Sequence, residues 1–319
     1  MEEIILNAHA KINLSLEITG RRPDGYHEIV SFMQGTGLHD IVGVKNCAEN
    51  GTKYNLPHCN IDDIVVYLCT ASKTIPTDMS NLAFKGIKAL LDACSDAGLS
   101  HGIPALMVSI DKRLPVAAGI AGGSGNAAAC MLGLNALLGY PFSLRELMTA
   151  GTPVGADVPF SIFMNAYRNR DVLGGMEGIG EAGDSAWTSG IGDVVEGADP
   201  VSGYVLMANP GVGVSTRAAY EAMDRIGYSG AGGRRLFVND LEKYTLGEQP
   251  AAAELKRLML GLPGADEVLM SGSGPTIVAY YRDEDKAMAD REVLAEALRE
   301  IPGARLWMTA TGDMKEGIR

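Results

Sequence analysis

One run constrains this chain more than any other: residues 112–129, KRLPVAAGIAGGSGNAAA, which read as the end of a strand, a glycine loop and the start of an alanine-rich helix. No residue between Arg113 and Arg145 is charged, and by length alone such a stretch could cross a membrane. Its content argues otherwise. Pro115, Gly119, Gly122, Gly123 and Gly125 break the first half and leave about 14 good helical residues, roughly 21 Å, short of a bilayer. Glycines let successive backbone N–H groups converge, and a helix N-terminus adds unpaired donors and a partial positive charge, so the run suits a polyphosphate. No Lys follows the glycines as in the G-x-x-x-x-G-K-[ST] loop, and the spacing is not G-x-G-x-x-G. On the glycines alone, a tight structural turn is an equally good reading.

Residues 8–18 alternate, with Ala10, Ile12, Leu14, Leu16 and Ile18 on one face and His9, Lys11, Asn13, Ser15 and Glu17 on the other. This predicts a half-buried strand. The turn residues of RRPDG (21–25) and a second strand-like run from Tyr26 to about Met33 complete a β-hairpin. Region 45–76 is weakly patterned around the strand-like IVVYL at 64–68. Ser80 or Asn81 can cap a helix carrying Phe84, Ile87, Leu90 and Leu91, and a strand follows over 105–110. The second half reads as strand 203–208, helix 216–226, helix 251–260, strands 267–270 and 276–281, helix 284–299 and strand 305–309. That order suits an α+β fold with helices on one face of an antiparallel sheet.

At 319 residues the chain is long enough for two domains. A formal net charge of -12 disfavours a nucleic-acid partner, because phosphate-backbone binding needs clustered Lys and Arg. The five cysteines contain no C-x-x-C pair and the histidines no H-x-x-x-H pair, so neither a disulfide framework nor a protein-held metal is expected. The acidic Met1-Glu2-Glu3 start has no signal or transit pattern, and a cytoplasmic enzyme without a membrane partner is the expectation.

The pattern Pro-x-x-x-Gly-Ile-x-Gly-Gly-Ser in this run resembles the ATP loop of the GHMP kinases. Further segments resemble the same family in the same order: AKINL (10–14), GRRPDGYHE (20–28), GADVPF (155–160), GVST (213–216), NDLE (239–242) and LMSGSGPT (269–276). The first two are similar to the branch of the non-mevalonate isoprenoid route, whose small-molecule substrate carries a cytidine diphosphate group. The resemblance implies a two-domain GHMP kinase fold. Its parts would be an ATP-binding, ribosomal protein S5 domain 2-like domain over 1–165 and a ferredoxin-like domain over 166–319; the sequence leaves monomer and homodimer both open.

It also implies ATP on Pro115, Val116, Ala117, Ala118, Gly119, Ile120, Ala121, Gly122, Gly123, Ser124 and Gly125, with Mg2+ held mostly by ATP oxygens and water. Asp157 would be the general base for a substrate hydroxyl, and Lys11 the cation beside it. Asn13 would help to hold the substrate, Tyr26 and Tyr220 would stack on the cytosine, and His27 would hydrogen-bond the base edge. Without the resemblance, Asp157 reads as a helix-start residue, Lys11 as a surface lysine, and Tyr26 and Tyr220 as a strand start and a packing residue. Two rivals stay open: a GHMP kinase for mevalonate, homoserine or a sugar, and a catalytically weak nucleotide-binding homologue. The likeness departs at Gly125, where the family usually has a second Ser, and over 161–180, where it has a strand of small residues.

Overall fold

The computed structural model describes residues 3–47, 54–230 and 232–312. Met1 and Glu2, part of region 45–76, and Ala231 of the glycine-rich 228–233 loop lie outside the described residues. Two long strands open the chain, β1 (Glu3–Arg21) and β2 (His27–Asn46). Both exceed the hairpin expected from alternation, because beyond Met33 the pattern continues through buried glycines and polar residues that resemble no strand. The two strands feed both of the compact units into which the chain divides. One unit comprises Met1–His9, His39–Val116 and Gly122–Asp184; the other comprises Ala10–Leu38, Ala117–Ala121 and Ser185–Arg319. These interleaved pieces differ from a single division near residue 165.

In the first unit, β3 (His58–Ile61) and β4 (Ile64–Cys69) form a hairpin. After α1 (Leu82–Asp96), β5 (Ala105–Asp111) pairs parallel with β4 and antiparallel with the 41–46 end of β2. Asn81 caps α1 by accepting a hydrogen bond from Ala83 N–H at 3.0 Å, so Asn81 rather than Ser80 is the helix start signal. The helices α2 (Gly122–Leu137), α3 (Leu144–Gly151), α4 (Val158–Arg168) and α5 (Arg170–Leu173) follow. The uncharged run thus contains a buried core helix. Fourteen of the residues of α2 are buried, from Gly122 to Ala136, which is why no face of it carries charge. Among the described residues no helix is long and apolar enough to cross a membrane.

Within the 161–180 segment, residues 161–168 and 170–173 are helical where the family resemblance implies a strand. Its helix α4 still closes the sheet edge, through asparagines one turn apart. Asn165 Oδ1 accepts from His9 N–H (2.8 Å), Asn169 Oδ1 accepts from Asn7 N–H (2.9 Å), and Asn169 Nδ2 donates to Asn7 O (3.0 Å). Side-chain amides thereby pair with backbone groups that would otherwise be orphaned in the interior.

In the second unit, β6 (Ser185–Ser189) pairs with β2 and with β7 (Val194–Gly197). Then come β8 (Gly203–Asn209), α6 (Thr216–Ile226), β9 (Val238–Asn239), α7 (Glu242–Glu248) and α8 (Pro250–Leu260). The chain ends on β10 (Glu267–Met270), β11 (Ile277–Tyr281), α9 (Glu284–Ala297) and β12 (Arg305–Thr311). Strand order β10-β11-β8-β12, antiparallel throughout, with α8 and α9 against the sheet, is the split βαβ arrangement. Leu206, Ala208, Met223, Leu255, Met259, Ile277, Ala279, Tyr281 and Leu294 form its core, joined by Leu16, Ile18 and Ile29 from β1 and β2.

The polar face of β1 corrects the expectation of a half-buried strand. His9, Lys11, Asn13, Ser15 and Glu17 are all buried, as are the apolar residues between them. Burying a polar stripe is costly unless its groups find partners: Lys11 bonds to Asn13, Asn13 to Ser31 and Glu17 to Arg235, whereas Ser15 Oγ has no partner among the described residues.

Candidate active site

The glycine run begins from an anchored base. Asp40, fully buried, accepts from Lys112 Nζ at 2.6 Å, Arg113 N–H at 2.7 Å and Leu114 N–H at 2.8 Å, which fixes the exit of β5. Nothing in the sequence singled Asp40 out, since a lone aspartate in a strand carries no local signal. Pro115 is partly buried and Val116 half exposed. Beyond them Ala117, Gly119 and Ala121 all hold positive φ, at 53°, 74° and 55°, with Ala118 and Ile120 between. Left-handed residues at alternate positions are the backbone pattern of an anion-binding nest, in which successive N–H groups can point to one side. Two of the three are alanines, which adopt this conformation only where the surroundings impose it. The imposition is visible at Gly119, whose added Cβ would strike the carbonyl oxygen of Ser271 and lie 2.9 Å from that of Gly274. Ser271 Oγ donates to Gly119 O at 3.0 Å.

Gly122 follows directly and opens α2, so Gly122, Gly123, Ser124 and Gly125 are the first turn of a 16-residue helix and not a loop preceding it. The first turn of α2 has backbone N–H groups with no partner inside the helix, the donors that suit a phosphate. Gly125 has a steric cause: a Cβ there would lie 2.9 Å from His9 O. Beside it, the Oδ1 of buried Asn126 has no hydrogen-bond partner among the described residues. Among those residues, no group of three His, Cys, Asp or Glu is placed to hold a metal ion.

On β1, Lys11 Nζ donates to Asn13 Oδ1 at 2.6 Å, and Asn13 Nδ2 donates to Ser31 Oγ at 2.8 Å. Ser31 Oγ in turn donates to Ser15 O. The backbone joins in, with Asn13 N–H donating to Ser271 Oγ (3.1 Å) and Lys11 N–H to Ile120 O (3.1 Å). Lys11, Asn13, the nest and the 271–274 turn are therefore one connected constellation within the second unit. Asp157 stands at the N-cap position of α4, yet its side chain makes no capping bond. Its carbonyl accepts from Ser161 N–H (2.9 Å) and Ser161 Oγ (2.7 Å), so Asp157 joins the helix through its backbone, with its residue half-buried.

His27 and Tyr220 are brought together. Their rings are stacked at 5.5 Å and 28°, and Tyr228, which sequence reasoning missed, meets His27 edge-on at 6.2 Å. Tyr26 is 60% exposed at the turn beside them.

Residues 81–165 match the family model of the GHMP kinases N terminal domain, and residues 217–300 that of the GHMP kinases C terminal domain. A relative from Syntrophotalea carbinolica, named 4-diphosphocytidyl-2-C-methyl-D-erythritol kinase, is 35% identical over 302 residues, spanning 90% of this chain and 93% of that protein. Another of the same name from Geobacter sulfurreducens is 32% identical over 322 residues, spanning 97% and 98%. Among solved structures, a 4-(cytidine 5'-diphospho)-2C-methyl-D-erythritol kinase superposes with a TM-score of 0.69 at 24% identity, covering 98% of this chain and 100% of that one. A homoserine kinase from Cytophaga hutchinsonii gives 0.65 at 14% identity, covering 100% and 98%. These superpositions bear out the fold.

Proposed function

The chain belongs to the GHMP kinases, in the branch of the 4-diphosphocytidyl-2-C-methyl-D-erythritol kinases, and from that premise we propose that it transfers the γ-phosphoryl group of ATP to the 2-hydroxyl of 4-diphosphocytidyl-2-C-methyl-D-erythritol. The observation that carries this reading is similarity at 35% identity along 90% of the chain to a protein of that name. The step belongs to the non-mevalonate isoprenoid route and is assigned to the cytoplasm.

ATP supplies the phosphoryl group, and Mg2+ the countercharge on its oxygens. The chain's own residues do the rest. The 117–121 nest and the first turn of α2 hold the phosphates through backbone N–H groups, a role that needs no lysine. Asp157, in the GADVPF segment at the start of α4, takes the proton of the substrate hydroxyl as it attacks phosphorus. The Lys11 ammonium, oriented by Asn13 Oδ1, steadies the oxygen that gives up that proton or the charge on the transferring group. His27, Tyr220 and Tyr26 receive the cytosine. Mg2+ would be held mostly by nucleotide oxygens and water, and Ser124, in the first turn of α2, would be the hydroxyl of this run available to it.

The test is ADP release by the purified protein with Mg-ATP and the cytidine substrate, beside mevalonate and homoserine. Turnover with the cytidine substrate alone, reduced about 10²–10⁴-fold in Asp157→Asn, is expected. Turnover with another acceptor, or an unimpaired variant, would sink the assignment.

A further inference from the structure

The contacts of His27 reach beyond its own ring. Its Nε2 lies 2.9 Å from Asp224 Oδ1, and the other oxygen of Asp224 is held by Arg21 Nη1 at 3.0 Å. Asp224 follows Tyr220 by one turn of α6, so carboxylate and ring lie on the same helix face. The imidazole is thus gripped on three sides by the Tyr220 face, the Tyr228 edge and the Asp224 carboxylate. An ionised carboxylate only accepts hydrogen bonds, so Nε2 carries the hydrogen. In a neutral imidazole the remaining nitrogen, Nδ1, is then an acceptor. Among the described residues Nδ1 has no hydrogen-bond partner.

We propose that Asp224, held by Arg21, is a positioning residue for base selection: it fixes the His27 tautomer that presents an acceptor, and so favours cytosine over uracil. Cytosine carries an exocyclic amine, a donor, where uracil carries a carbonyl, an acceptor. An acceptor Nδ1 pairs with the amine and opposes the lone pairs of the carbonyl. The arrangement follows a general pattern in which the bond made by one ring nitrogen decides what the other can do. The inference rests on the cytidine reading above, and deepens it by naming what sets the choice of base. A plain structural strut between the start of β2 and α6 would grip the ring equally but would not discriminate between bases.

The experiment measures inhibition by free CDP and free UDP in competition with the cytidine substrate at pH 8. It compares the full-length protein with Asp224→Asn and Arg21→Met. In the unaltered protein CDP should inhibit at least tenfold better than UDP. In Asp224→Asn, whose amide supports either tautomer, that ratio should shrink on the order of tenfold, with KM raised and kcat nearly kept. Arg21→Met should shrink it less, in the same direction. Nitrogen-detected NMR of the His27 ring provides a readout independent of turnover, and should show hydrogen on Nε2 in the unaltered protein. Hydrogen on Nδ1, or an unchanged CDP-to-UDP ratio in both variants, overturns the proposal. Equal weakening of both bases would identify a strut and overturn it too. Absence of CDP inhibition and of turnover in the unaltered protein would instead reject the cytidine reading, and this inference with it.

Discussion

Gly125→Ser would install the residue that the family usually carries, and the structure predicts that it harms this chain. The new Cβ would sit 2.9 Å from His9 O, with Ala8 C and O at 3.7 Å. That oxygen belongs to β1, whose backbone cannot retreat freely, because His9 N–H is tied to Asn165 Oδ1 at 2.8 Å. Forcing extra atoms into such a site costs about 1–3 kcal/mol. Replacing a helical glycine returns roughly 0.5 kcal/mol of propensity. The net loss is about 0.5–2.5 kcal/mol, equivalent to roughly 1–10 °C in melting temperature for a unit of this size. Thermal unfolding with the KM for ATP measured alongside is the assay. Gly125→Ala separates the causes: the clash belongs to Cβ, so alanine should cost nearly as much as serine. If either variant melts at or above the unaltered protein, close approach of β1 is not what keeps glycine at this position.

Asp40→Ala should destabilise by about 3–5 kcal/mol, since it strands the Lys112 ammonium and two backbone donors in the interior. Asp40→Asn, which can still accept the backbone bonds, should lose less, and denaturant titration would compare them. Asn165→Ala with Asn169→Ala should cost about 1–3 kcal/mol per lost partner and speed hydrogen exchange at the Asn7 and His9 amides; unchanged exchange there would show that α4 does not close this edge. Burial pushes the Cys130 thiol up to about 12, so at pH 8 a thiol reagent should label exposed Cys69 promptly and Cys130 only on unfolding. Because the folded value lies above the ordinary 9.0, the stability linked to Cys130 is present below pH 9 and falls as pH rises from there toward 12.

What could be read from the sequence was whatever a local pattern encodes. Helix 216–226 and strand 267–270 have the bounds expected from their spacing, and the order of elements after residue 203 already contained the split βαβ sheet. The glycine run was legible as a donor-rich turn, but its nest was not, because two of the three left-handed positions are alanines whose conformation is imposed by distant chain. The same holds for the polar face of β1. Alternation distinguishes two faces without saying which one meets water, and here neither does. Lys11 was placed at the site by its likeness to the family, whereas its burial and its bond to Asn13 are properties only the fold could supply. Asp40 and Asp224 were invisible for one reason: each acts through partners far away in sequence, Asp40 on 112–114 and Asp224 on Arg21 and His27. A motif records residues that touch a ligand at fixed spacing. The residues that hold those in place are chosen by geometry alone, so departures such as Gly125 and the helical 161–168 segment have to be judged against the neighbours they meet: at Gly125 the close approach of His9 O leaves no room for a side chain, and from 161–168 Asn165 satisfies the His9 N–H on β1.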